Sequence, residues 1–431
     1  MKSSVIFLFR VVLSLWVLFL SMGCGGSKQV SSGGVNMSGE IKTVDVAKSN
    51  LEDGKPQNPK HPGDISISKV PMFVTLGFDD NGVAGDLDTD FPQGMAWADK
   101  MLSDRKNSDG TPALASFYIT SSYGTGDDNG YGEAGDSDPS HVKKMWNTLY
   151  SKGYEIGNHT STHPHGVDEE SGVKFPVESW VEEMKTCNNV LTAPFDVDEI
   201  KKGVDKSKGA GVDPSSIVGF RTPFLEYTDF TFDAIAEFGF KYDCSIEEGI
   251  QSAQDGTNFT WPYKLDNGSR GHDLLVEWEM KIPMKNHPGL WEMPVYVVIV
   301  PPDAECEKYG VEKGLRDRLK SAVDYFETDN GKITGFDYNL WVLFHMTKNE
   351  FVATMKYTFD LRMKGNKAPF LFGMHSDIYA DGYDEENEMK AKVKERQEAV
   401  EEFLDYVLKN SEVRVSSAVN VLKWIESPIE L

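Results

Sequence analysis

Two adjacent carboxylates, Asp79 and Asp80, close a short apolar run, Met72-Phe-Val-Thr-Leu-Gly-Phe. Neighbouring carboxylates crowd their charges, so a proton, a cation or an arginine must separate their roles. Histidine is scarce, nine in 431 residues, yet His159, His163 and His165 fall within seven positions of one another. The spacing His-x-x-x-His lets two imidazoles converge on one cation, from a helical turn or from a tight loop. One added carboxylate gives two nitrogens and one oxygen, with positions left for water. Arg221 precedes Thr222-Pro223, which puts a cation on a loop that proline stiffens. His375 follows a further apolar run. Taken singly, each feature also suits a solvated turn, a polar loop, a surface ion pair or a structural histidine. Taken together, the types and spacings support a bound cation with open water positions.

The elements that must position these residues read as strands and helices in alternation. Residues 72–76 are too few for an ordinary helix and rich in β-formers, so they read as a strand buried on both faces. Further strands are expected at 113–120, at 154–156 leading to His159, at 217–220 leading to Arg221, at 240–245, near 291–300, at 368–374 ending at His375, and at 413–416. Helices are expected at 95–102, 141–153, 177–191, 230–238, 348–363, 388–409 and 418–425. This rhythm predicts parallel strands with helices outside, an α/β fold of the (β/α) barrel kind, distorted or incomplete. Functional groups in such barrels sit at the C-terminal ends of the strands, where all the residues named above fall. Between 247 and 339 the rhythm weakens, and a long insertion or a set of elaborated loops is expected there.

The chain is long enough for one large domain or two smaller ones, and its hydrophobic content of 39% supports a real core. A net charge of −24 argues against nucleic acid, or an anionic membrane surface, as a partner for the body of the protein. A neutral substrate or a cation fits better. Residues 1–24 read as a targeting segment, apolar at 5–9 and 11–20 and ending in Gly23-Cys24. The pattern looks like a bacterial lipoprotein signal, with cleavage before Cys24 and lipid on its thiol. An ordinary secretory signal and an uncleaved anchor are the alternatives, and each implies export to or beyond the cell envelope. Residues 25–69, rich in Gly, Ser and Pro, read as a flexible linker, which leaves 70–431 as the folded body. Cys187, Cys244 and Cys306 remain in the body. An odd number leaves one disulfide plus one buried thiol as an open arrangement.

In order along the chain, these motifs resemble those of the polysaccharide deacetylases of carbohydrate esterase family 4. Phe78-Asp79-Asp80 is similar to the family's Thr-Phe-Asp-Asp-Gly, with Gly77 for threonine and Asn81 for glycine. His159-Thr-Ser-Thr-His163 matches the family's His-Ser/Thr-x-x-His, and Arg221-Thr-Pro223-Phe224 its Arg-x-Pro-Tyr/Phe. Tyr242-Asp243 and Met374-His375 are looser matches to two later motifs. The resemblance spans about 70–425, and segments 259–263 and 288–294 are similar to the larger chitin-deacetylase-like members.

The resemblance implies that 70–431 is the catalytic domain, and it implies a role for each residue. Asp80, His159 and His163 would hold a divalent metal, most simply Zn²⁺. Asp79 would be the general base, with Arg221 holding it ionised. The backbone N–H of Phe224 would help stabilise the oxyanion, and Trp291 would line the acetyl pocket. His375 would protonate the leaving amine, with Asp243 orienting or tuning it. His165 receives no role. The implied reaction is removal of N-acetyl groups from a β-1,4-linked N-acetylglucosamine polymer or oligomer. An O-acetyl esterase acting on xylan and a non-catalytic surface carbohydrate-binding lipoprotein are the competing readings.

Overall fold

The structure, a computed structural model, describes residues 59–126, 138–168, 171–196, 205, 207–381, 383 and 389–431. The expected signal segment and residues 25–58 of the expected linker lie outside the described residues. Residues 59–69 rest on the body: His61 meets the Trp261 ring edge-on at 6.4 Å, and the Lys69 ammonium pairs with Glu430.

The first strand, β1 (Met72–Asp79), is buried at all eight positions, as a central parallel strand should be. In chain order the others are β2 (Ser116–Ile119), β3 (Glu155–Asn158), β4 (Gly219–Phe220), β5 (Tyr242–Asp243), β6 (Glu247–Glu248), β7 (Tyr263–Lys264), β8 (Trp291–Glu292), β9 (Val295–Ile299), β10 (Lys332–Thr334), β11 (Phe370–His375) and β12 (Val413–Val415). The main sheet runs β11-β1-β2-β3-β4-β5-β8-β7, and β12 pairs with the start of β1. Every pairing from β11 to β8 is parallel; only β7 is antiparallel, at the far edge. Strand–helix alternation had predicted this curled α/β sheet.

Alternate large and absent side chains fill its interior. Gly77, Gly157, Gly219 and Gly373 lie on β1, β3, β4 and β11. A Cβ built at Gly157 would stand 2.5 Å from the Tyr118 ring, at Gly219 2.2 Å from the Tyr242 ring, and at Gly373 2.3 Å from the Phe336 ring. Bulky groups from neighbouring strands, and Phe336 just beyond β10, thus fill space left by the glycines, as barrel layers require. Gly77, in the family's threonine position, leaves room for the Arg221 guanidinium, 3.2 Å from where its Cβ would stand.

Much of the 247–339 stretch, expected as an insertion or loops, is wall. Strands β6, β9 and β10 form a second sheet. Its near end is tied to the main sheet by Met293 N–H donating to the Asp243 carbonyl and Val295 N–H to the Ile246 carbonyl. Its far end is tied by Gly373 N–H donating to the Gly335 carbonyl at 2.8 Å, and Phe336 bridges to Gly373. This small sheet therefore spans from β5 and β8 back towards β11. Strands of two to five residues carry too little alternation to be read from sequence. Cys187, Cys244 and Cys306 are each buried and free, so the disulfide the sequence left open is not formed.

Candidate metal and acid–base site

Each motif sits at the C-terminal end of a strand, and those of Asp80, His163 and Phe224 pass through left-handed backbone. Asp80 and Asn81 leave β1 with φ of 64° and 63°, in the left-handed region. Asparagine tolerates that region better than most residues, which explains Asn81 where the family has glycine. Its side chain donates to the carbonyls of Phe78 and Tyr118, both at 2.9 Å, and its own carbonyl accepts from Trp146 Nε1 at 3.0 Å. After β3, Thr160 and His163 are also left-handed. The Glu183 carboxylate, from helix Val177–Thr192, accepts from the N–H groups of Ser161 and Thr162 and from the Thr162 hydroxyl. Nothing in the local motif signals Glu183, because it reaches the loop from another element.

These turns bring Asp80, His159 and His163 together. Asp80 Oδ1 lies 3.7 Å from His159 Nε2 and 3.4 Å from His163 Nε2. The three donor atoms all fall within 4.8 Å of one another, so one ion can lie among them. The donor set suits such an ion. His159 Nδ1 sits 2.8 Å from the Arg221 carbonyl, which must accept its proton and so leaves a lone pair on Nε2. Burial holds His159 down to about 3 and also lowers His163, so both rings are neutral and able to ligate. Burial works against ionisation of Asp80, yet its pKa stays low: in the acid range where it titrates, charge on His163 and His159 favours the carboxylate, and the Thr120 hydroxyl donates to it.

Asp79 is the other half of the pair. Arg221 Nη1 donates to its Oδ1 at 2.9 Å, and both side chains are buried. Burial pushes Asp79 up to about 7, against the pull of Arg221. The guanidinium also donates through Nε to the Cys244 carbonyl at 3.0 Å and lies over the rings of Tyr118 and Phe336. Arg221 thus fixes Asp79 through its side chain and His159 through its carbonyl.

His375 faces this group from β11, with its Cα in register with Asp79. The sequence reading gave Asp243 as its partner; the structure gives Asp337. Asp337 Oδ1 lies 2.8 Å from His375 Nδ1, and Asp337 Oδ2 accepts the His375 N–H at 2.9 Å. The reason is topological. The 335–337 segment is stitched to β11, whereas β5, which carries Asp243, pairs with β4 and β8. Burial alone would lower His375, but the buried Asp337 charge overrides it and raises the imidazole to about 10.

Asp243 instead supports the Arg221 loop. Its carboxylate accepts from Ser245 N–H at 2.8 Å and from the Ser245 hydroxyl at 2.9 Å. Ser245 Oγ in turn accepts the Thr222 N–H at 2.8 Å. Glu292 lies against Asp243, and burial beside that second carboxyl pushes it well up. Trp291 packs with the cluster of Tyr242, Trp261 and Trp424, under the Lys264 ammonium, and the contacts described for it do not join it to the metal group. Its neighbour Glu292 takes the inward position beside Asp243. Phe224 does stand at the site, its ring edge-on to His163 at 4.4 Å.

No family model matches the chain. Among curated relatives, chitin deacetylase 8 of Bombyx mori is 23% identical over 384 residues, covering 88% of this chain and 77% of the relative. Chitin deacetylase 1 of the same insect is 20% identical over 372 residues, and there the chain spans about half of the relative, 53%. Among solved structures, a Mycobacterium smegmatis protein assigned as a polysaccharide deacetylase aligns with a TM-score of 0.44 and 15% identity, over 86% of this chain and 95% of its own. In the order of its motifs and in the side chains those motifs bring together, the chain is chitin-deacetylase-like, similar to these relatives and to the polysaccharide deacetylases of carbohydrate esterase family 4.

Proposed function

We propose that the protein removes N-acetyl groups by hydrolysis from a β-1,4-linked N-acetylglucosamine polymer or oligomer, with a divalent metal, most simply Zn²⁺, held by Asp80, His159 and His163. One observation carries this reading. A carboxylate fixed by arginine and an imidazolium fixed by carboxylate face each other across adjacent strands, Asp79 opposite His375, beside a group of three metal donors. Hydrolysing an amide needs one group to take a proton from water and another to give one to the leaving nitrogen. When bound, the metal supplies Lewis acidity towards the acetyl carbonyl and makes water easier to deprotonate.

The chain's own residues supply the rest. Asp79 accepts the proton of the attacking water, aimed by Arg221. The Phe224 N–H donates to the oxygen that becomes negative as the carbonyl turns tetrahedral. His375, kept protonated by Asp337, donates to the amine nitrogen as the C–N bond breaks, leaving acetate and a free amino sugar. Neutral substrate agrees with the strongly acidic body, which would repel a polyanion. The test is acetate release from chitin oligomers, peptidoglycan and acetylxylan, each with and without a chelator. Release from chitin oligomers that chelation abolishes and zinc restores is expected. Chelator-resistant release, or release confined to acetylxylan, contradicts the proposal.

A further inference from the structure

We propose that His165, fixed by Glu226, is a positioning residue for the strained turn that carries Phe224; the inference rests on the hydrolytic reading given above. Phe224 and Leu225 have φ of 55° and 56°, two successive non-glycine residues in the left-handed region. L-residues persist there only where their surroundings over-determine them. The turn has two bonds of its own, Leu225 N–H to the Thr222 carbonyl at 3.1 Å and Glu226 N–H to the Pro223 carbonyl at 3.0 Å. Phe224 is 36% exposed, and beside it the Lys281 ammonium donates to the Leu225 carbonyl.

His165 supplies a hold from the neighbouring loop. Its imidazole lies flat on the Phe224 ring, centroids 4.2 Å apart and 6° from parallel. Its Nδ1 is 3.0 Å from Glu226 Oε2, and the same oxygen accepts the Gly166 N–H at 3.1 Å. The loops also meet without space between them: a Cβ at Gly166 would stand 1.7 Å from the Glu226 carbonyl oxygen. Residues 163–166 and 223–226 are therefore clamped by a ring stack, a histidine–carboxylate contact and a hydrogen bond from the Gly166 N–H to the Glu226 carboxylate. His165 is outside the group of metal donors. What the clamp fixes is the direction of the Phe224 N–H and the ring set against the edge of His163. Without it, the turn relaxes towards ordinary φ and the N–H swings away from the reacting oxygen.

The test uses the full chain, loaded with zinc and stripped of it. In His165→Ala, kcat falls at least roughly tenfold, as a donor displaced by a fraction of an ångström requires. KM stays within about twofold, because the loss falls on the transition state. Metal content matches the wild type, and amide exchange across residues 222–226 quickens in loaded and stripped protein alike. His165→Phe keeps the stacking face and recovers most of kcat; Glu226→Ala behaves like His165→Ala. Unchanged kcat, a raised KM with kcat retained, lost metal, or unchanged exchange across 222–226 each overturns the proposal. A wild type inactive on every acetylated glycan sinks the hydrolytic reading, and exchange in the stripped protein still decides whether the clamp exists.

Discussion

His375 keeps its proton because Asp337 is buried beside it and needs a counter-charge. An imidazole raised to about 10 is fully protonated at neutral pH, as a proton donor to a leaving amine should be. Asp337→Asn removes the charge while keeping the shape. The high-pH limb of kcat should then move from near 10 towards the ordinary histidine value of about 6.5, with a loss of roughly tenfold or more at about pH 8. A pH–rate profile of mutant and wild type reads this directly, and an unmoved limb contradicts the assignment. Stability follows the same pair. A folded-state pKa raised above the unfolded value gives stabilisation that is complete below about 6.5 and is lost as pH rises through about 10. Denaturant midpoints at about pH 6 and about pH 9 should therefore differ more in the wild type than in Asp337→Asn. Asp79, Asp80, His159, His163, Arg221 and His375 were legible because each stands in a short motif behind a strand. Asp337 was not, because it reaches His375 through space from a stretch with little periodicity. Asp243 was misplaced for the same reason, being read by motif order when adjacency in the sheet decides.

At the scale of elements, most strands and helices outside 247–339 were legible to within a few residues, since their apolar runs and helical spacings are strong; the helix expected at 388–409 instead runs Val393–Val407, and the short helix Ser122–Thr125 was not foreseen. The pairing of glycines with large inward side chains was not, because a glycine in a strand looks like a weak point until its neighbour is known. That pairing makes a prediction. Gly219→Ala places a Cβ where the Tyr242 ring and hydroxyl already stand. Overpacking of this kind destabilises by about 1–3 kcal/mol. Tyr242 cannot yield freely, since its hydroxyl donates to the buried Glu155 at 2.7 Å and meets the Tyr118 hydroxyl at 2.9 Å. Urea unfolding should show a lower midpoint at an unchanged m-value, and a midpoint equal to the wild type would show that the layer has slack. The left-handed residues around the site were equally hidden. Only Asn81, standing where the family has glycine, announced one.

For the molecule as a whole, the acidic body and the N-terminal segment bear on where the enzyme works. Among the described residues no helix is long and apolar enough to cross a membrane. We propose attachment through a lipid on Cys24, which predicts that the wild type partitions with membranes and that Cys24→Ser releases it. A soluble, unmodified wild type contradicts this. In the proposed reaction two neighbouring aspartates do different work, Asp80 in holding a metal and Asp79 in taking a proton. Metal content measured beside kcat for Asp79→Asn and Asp80→Asn tests that most directly. Asparagine is nearly isosteric, so neither change should unfold the protein. Asp79→Asn should keep its metal and lose about 10²–10⁴ in turnover, the usual contribution of a positioned base; Asp80→Asn should lose metal and turnover together. Metal lost from Asp79→Asn and kept by Asp80→Asn would reverse the two roles, and full activity in both would place the reaction elsewhere.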